Sequence, residues 1–115
     1  MPEESFKSFE EFWPFYVNEH SQPATRALHF VGTSFGLICA LLAAATGRWW
    51  LLLLGLVVSY GFAWFSHFVI EKNRPATFKY PLYSFRGDFR MYGLMLRGKM
   101  GEEVLTTKTQ RAQRV

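Results

Sequence analysis

The sequence predicts an all-α integral membrane protein: a two-helix transmembrane hairpin with flanking amphipathic interfacial helices. Three observations carry this reading. From Ala27 to Ile70 the chain is almost continuously apolar, interrupted only by Thr46-Gly47-Arg48. The two halves, Ala27 to Thr46 and Trp49 to Ile70, hold no acidic or basic residue, and each has the roughly 20 residues a helix needs to cross about 30 Å of hydrocarbon. The remainder is too short to enclose them, because a helix that is apolar all round needs cover on every side in water, and a chain of 115 residues leaves none to spare. A buried helical hairpin in a soluble protein is the competing reading and meets that obstacle.

At this length one domain is expected, with residues 1–100 forming a membrane domain (spans about 27–46 and 49–70) and 101–115 a polar C-terminal tail. The near-zero mean hydropathy averages a charge-free middle with charge-rich ends, and an aromatic content of 18% with four Trp suits anchoring at membrane interfaces. Glu3, Glu4, Glu10, Glu11 and Glu19 outnumber Lys7 and Arg26 before the hairpin, so no cleavable targeting segment is expected. Near the helix ends, Lys7, Arg26, Lys72, Arg74, Lys79, Arg86 and Arg90 lie on one side and Arg48 alone on the other. The positive-inside rule then places both termini in the cytoplasm, in the inner membrane of a bacterium or the endoplasmic reticulum of a eukaryote. The net charge of +4 fits topology and attraction to anionic lipid headgroups, and no nucleic-acid motif accompanies it.

Taken in order, Ser5 to Glu19 sets Phe6, Phe9, Phe12, Trp13 and Tyr16 among polar residues, with Ser8 and Glu11 spaced as a capping box and Pro14 predicting a kink or a break. This segment is expected either aromatic side down in the interface or packed over the hairpin's end. Ser21-Gln22-Pro23 reads as a helix start, with Ser21 the candidate cap. Pro75 stops the second membrane helix near Asn73. Lys79 to Arg86 suits an irregular interfacial loop, and Gly87-Asp88 a turn and cap leading into a short helix over Phe89 to Leu96. From Gly101 onward the chain is polar and expected to fray.

Within the hairpin, Gly32, Gly36 and Ala40 recur every four residues, as do Gly55, Ser59 and Ala63. Antiparallel pairing about the tip sets Gly32 opposite Ala63, Gly36 opposite Ser59 and Ala40 opposite Gly55, predicting close helix contact. Continuing the second stripe leads to His67 and Glu71, and the same pairing sets His67 level with His29. All three histidines, His20 included, are thus expected at one depth, the cytoplasmic end. Cys39, the only cysteine, sits mid-span and reads as a small apolar residue.

Three histidines with the nearby acids Glu71 and Asp88 are the strongest candidate metal ligands in the chain. Imidazole with carboxylate suits non-haem Fe(II) or Zn(II), although a histidine at a helix end more often caps or sits in the interface. Arg26, Lys72 and Arg74 would ring the same level. Arg26 stands in a first turn, where the helix dipole disfavours a cation, so it reads as a partner for a carboxylate or phosphate, or as a snorkelling anchor. Ser-His-Asp hydrolysis through Ser66 or Ser84 lacks any supporting motif.

Phe15-Tyr16 followed by His20, the run Arg26 to Thr33, Ser66-His67-Phe68 with Glu71 to Thr77, and Gly87 to Met91 resemble the small membrane family that includes the fungal 2-hydroxy fatty acid dioxygenase of phytosphingosine degradation. The resemblance runs from about Phe6 to Gly98, and its most specific block is His67 to Thr77. It implies Fe(II)-dependent α-oxidation of a 2-hydroxy fatty acid by O2 to the fatty acid one carbon shorter, with His20, His29 and His67 as iron ligands. Joined to the residue reading, the acyl chain would lie along the hairpin and its head at the cytoplasmic interface. Arg26, Lys72 or Arg74 would bind the substrate there, and Glu71 or Asp88 would orient a ligand histidine. Two other classes stay open: a haem-binding anchor using His29 and His67, and a non-catalytic lipid-binding or scaffold protein. Each is compatible with homo-oligomerisation, which would enclose a site that two helices leave open.

Overall fold

A computed structural model describes residues 6–114, with side chains through residue 107. The acidic start through Ser5, and the end of the polar tail, lie outside the described residues. Five α-helices follow one another: α1 (Phe9–Glu19), α2 (Pro23–Thr46), α3 (Trp50–Phe65), α4 (Pro81–Leu96) and α5 (Met100–Arg114). The α3 helix runs on as a π-helical turn over Ser66–Glu71, and a 3-10 turn covers Ala76–Phe78. No strand occurs among the described residues. The chain divides into two compact units, one from Gln22 to Pro75 and one built from the segments before and after it.

In the Gln22–Pro75 unit, the chain has two helices long and apolar enough to cross a membrane, Pro23–Thr46 with 24 residues and Trp50–Glu71 with 22. Their outer faces are lined with exposed apolar side chains, Leu41 at 71% and Leu53 at 65% exposure among them. Gly47, left-handed at φ 74°, closes α2 with its N–H on Ala43 O at 2.8 Å, a turn that glycine adopts without the Cβ penalty of other residues.

The two helices lie in close contact along small residues. A Cβ on Gly36 would stand 2.5 Å from Ser59 Oγ, and one on Gly55 would stand 3.2 Å from Gly36 Cα. Ser59 Oγ donates to Gly32 O at 2.7 Å, tying one backbone to the other. Gly36 faces Ser59 as the stripe predicts, but the strict four-residue repeat drifts elsewhere. Gly32 meets Ser59 and Phe62 rather than Ala63, and Gly55 meets Cys39 and Gly36 rather than Ala40. The helical repeat of about 3.6 residues is the reason. The inner face of α2 alternates steps of four and three through Thr25, His29, Gly32, Gly36, Cys39 and Ala43.

Helix α2 starts one residue later than expected: Gln22 is the N-cap, without a side-chain cap bond, and Pro23 is the first helical residue. Ser21 therefore does not cap it. At the far end, Lys72 takes a left-handed φ of 61° and Asn73 N–H returns to His67 O at 2.9 Å, ending the π-turn just ahead of Pro75.

In the other unit, α1 is a single helix that contains Pro14. Ser8 Oγ accepts from Glu11 N at 3.2 Å, and Glu11 Oε1 accepts from Lys7 N at 3.1 Å, a capping box displaced by one residue on its return leg. The aromatics of α1 do not lie flat in an interface. Phe9, Phe12, Trp13 and Tyr16 are buried with Met91, Leu94 and Met100 as this unit's core. Gly87 and Asp88 are no turn: α4 begins at Pro81, with its proline at the first helical position. Gly87 sits mid-helix because the Tyr16 ring lies against it, a Cβ there falling 2.8 Å from Tyr16 Cδ2. The stretch expected to fray forms α5, whose Glu103 carboxylate accepts from Trp13 Nε1–H at 2.7 Å.

Candidate metal centre

Each histidine ring is held through Nδ1. His20 closes α1, and its Nδ1 meets Tyr16 O at 2.7 Å while the two rings stack at 4.0 Å. His29 lies two turns into α2 with Nδ1 at 2.9 Å from Thr25 O and 3.4 Å from Ser66 Oγ. His67 stands in the π-turn with Nδ1 at 2.8 Å from Asn73 Oδ1. A carbonyl or amide oxygen accepts a hydrogen bond only from N–H, so Nδ1 carries the proton in all three and Nε2 carries the lone pair. A histidine that binds a metal through Nε2 needs that tautomer, and the contact at Nδ1 is of the kind that fixes it. All three histidines are buried, His29 and His67 in the Gln22–Pro75 unit and His20 in the unit built from the flanking segments. The residues present therefore fit a divalent transition metal that accepts imidazole.

The π-turn contributes directly. Its wider winding buries Ser66 and His67 side by side, and π-turns recur at functional positions because they turn one extra side chain inward. The His29 and His67 rings meet edge to face, at 5.2 Å and 88°.

The other expected residues are distributed unevenly. Glu71 ends the π-turn and its Oε2 accepts from Gln22 N at 2.7 Å, supplying from a distance the acid that α2's first turn lacks. Its charge acts on Arg26, His29 and His67. Arg26 is half-buried, whereas Lys72 and Arg74 are exposed on the loop after the π-turn. Asp88 is on α4, where its Oδ1 accepts from the Tyr16 hydroxyl at 2.6 Å. Burial pushes the Asp88 carboxyl up to about 7, with the Tyr16 hydrogen bond pulling the other way.

Sequence reasoning gave no role at this site to Tyr16, Thr25 or Asn73, and weighed Ser66 only as a hydrolytic nucleophile. Two of them were within its reach. Stepping back from Gly32 by three and then four residues leads to His29 and Thr25, and stepping on from Ala63 by three leads to Ser66. Tyr16 and Asn73 act through a backbone carbonyl and a loop amide, for which spacing gives no signal.

Comparison with curated proteins and with solved structures returns no match. A family model described as 2-hydroxy-palmitic acid dioxygenase Mpo1-like matches residues 6–100, a span that contains all three histidines, Asn73 and Asp88, and the chain belongs to this Mpo1-like family.

Proposed function

We propose that this chain is an Fe(II)-dependent dioxygenase that converts a 2-hydroxy fatty acid to the fatty acid one carbon shorter. The observation that carries the reading is the trio of buried histidines, each with Nδ1–H turned outward onto an oxygen and Nε2 left as the lone-pair nitrogen. His20, His29 and His67 would hold the metal. Bound iron would supply the means for O2 to react with a closed-shell organic acid. The overall reaction balances without an outside reductant: RCH(OH)COOH and O2 give RCOOH, CO2 and water, the oxygen molecule taking up four electrons.

The chain's own groups prepare this chemistry. Thr25 O and Tyr16 O hold the ring orientation of His29 and His20, and Asn73 does the same for His67. Arg26 offers a cation for the substrate carboxylate, with Lys72 and Arg74 on the adjoining loop. Glu71 holds the N-terminus of α2 and Asp88 holds the Tyr16 hydroxyl, so each acts by positioning. The acyl tail would follow the apolar groove lined by Leu28, Val58, Gly61, Phe62 and Phe65, which begins one residue from His29. The two long apolar helices would span the bilayer as a hairpin with both termini cytoplasmic, and their exposed leucines would face lipid.

The haem reading is disfavoured because the His29 and His67 rings are in edge contact, with no room for a macrocycle between them. The test is anaerobic purification in detergent, elemental analysis, and O2 consumption with 2-hydroxyhexadecanoic acid. Stoichiometric iron, with a 15-carbon product that disappears in His67→Ala, is expected. Protein that binds no metal and forms no product would leave the lipid-binding scaffold as the better account.

A further inference from the structure

The inner face of α2 ends in a polar atom without a protein partner. Thr25 is fully buried, and among the described residues its hydroxyl is the one buried side-chain polar atom that makes no hydrogen bond. Such groups are rare in folded proteins because desolvation without a replacement partner costs stability, so each calls for a ligand or a reason. Thr25 precedes His29 by one helical turn on the same buried face, where side chains four apart lie one above the other. Its own carbonyl holds His29 Nδ1 at 2.9 Å. The hydroxyl therefore stands beside the histidine that its backbone orients.

The chemistry of the surroundings narrows the ligand. Thr25 lies in the first turn of a 24-residue helix that has no side-chain cap and no acid of its own in that turn. The anion this terminus favours is already present, because Glu71 Oε2 takes Gln22 N–H at 2.7 Å. What Thr25 adds is a neutral group that both donates and accepts. A carboxylate can only accept, whereas an alcohol matches threonine in both roles. We propose that the Thr25 hydroxyl binds the 2-hydroxyl group of the substrate, so that it selects a 2-hydroxy acid over an ordinary fatty acid. This assignment rests on the function proposed above and deepens it.

The test is equilibrium binding to the full chain in detergent micelles, metal-free and anaerobic, with 2-hydroxyhexadecanoic acid and hexadecanoic acid as the two ligands. The parent should prefer the hydroxy acid about tenfold, the worth of one net hydrogen bond at the upper end of its usual range. Thr25→Val should reduce that preference to within about twofold of unity, by weakening hydroxy acid binding alone, and Thr25→Ser should restore most of it. Ligand-free Thr25→Val should also melt above the parent, having lost the unpaired buried hydroxyl, and should take up iron as the parent does. A Thr25→Val protein that keeps the parent's preference overturns the assignment while leaving the function intact. A variant that melts lower or fails to take up iron shows a structural role and overturns it equally. A parent with no preference between the two acids overturns both this assignment and the substrate reading beneath it.

Discussion

Asn73 Oδ1 lies 2.8 Å from His67 Nδ1, six residues on in the chain. The contact exists because the π-turn winds wide, Lys72 turns left-handed, and Asn73 N–H folds back onto His67 O. The loop that ends the helix thus also sets the tautomer of the histidine inside it. Asn73→Ala should lower metal affinity by about 10–100-fold, the usual cost of removing the hydrogen-bond partner that orients a ligand histidine, with secondary structure unchanged. Titration of metal-free protein with Fe(II) or Zn(II), followed by a circular-dichroism spectrum, measures both. An unchanged affinity would mean that His67 needs no such support.

The Asp88 carboxyl ionises near pH 7 in the folded chain against a reference of 3.8. An acid whose pKa is raised by folding binds its proton more tightly when folded. Its contribution to stability is therefore full below about pH 4 and is lost as pH rises through about 7. Asp88→Asn should flatten that segment of the stability–pH curve. Thermal unfolding between pH 4 and 8 reports it, and a mutant curve parallel to the parent's would contradict the raised value.

Gly87 allows the Tyr16 ring to lie against α4. Gly87→Ala should cost about 1–3 kcal/mol, because the new methyl overpacks a filled contact and no mobile side-chain end is there to yield. Since Tyr16 both stacks on His20 and accepts its Nδ1–H, the same variant should weaken metal binding. Denaturant unfolding and metal titration test the two effects separately.

Along the helix pair, Gly55 and Ser59 should respond differently. Gly55→Val forces a side chain against Gly36 and Cys39 and should destabilise the pair by about 1–3 kcal/mol. Ser59→Ala removes one interhelical hydrogen bond, to Gly32 O, and should cost only about 0.6 kcal/mol. Unfolding in mixed micelles compares them, and equal losses would argue against close backbone approach as the cause.

The two apolar helices, the turn between them and the stop before Pro75 were legible in the sequence because length, hydropathy and proline act locally. The histidines were candidates from the residues: the small-residue stripe led to His67, the pairing rule to His29, and the start of α2 to His20 at the same depth, while the family resemblance implied all three as ligands. The aromatics of α1 were harder to place. Their spacing suits an interfacial face and a buried one equally, and only packing against Met91 and Leu94 decides between them. Gly87-Asp88 misled for a related reason. Glycine followed by aspartate is ordinarily a turn signal, but a mid-helix glycine is kept where a ring must approach the backbone, here Tyr16.

By itself, then, the sequence determined that two long apolar helices form, where they stop, that small residues line their contact, and which side chains offer candidate metal ligands. These depend on residues near one another in the chain and on the helical repeat. The tertiary structure decided which nitrogen of each histidine carries the proton, that Asp88 reaches Tyr16 and not a histidine, that Glu71 holds the start of α2, and that the Thr25 hydroxyl is buried without a partner. Each depends on atoms brought together from distant turns or on the carbonyls of the helix itself, and the order of side chains alone encodes neither.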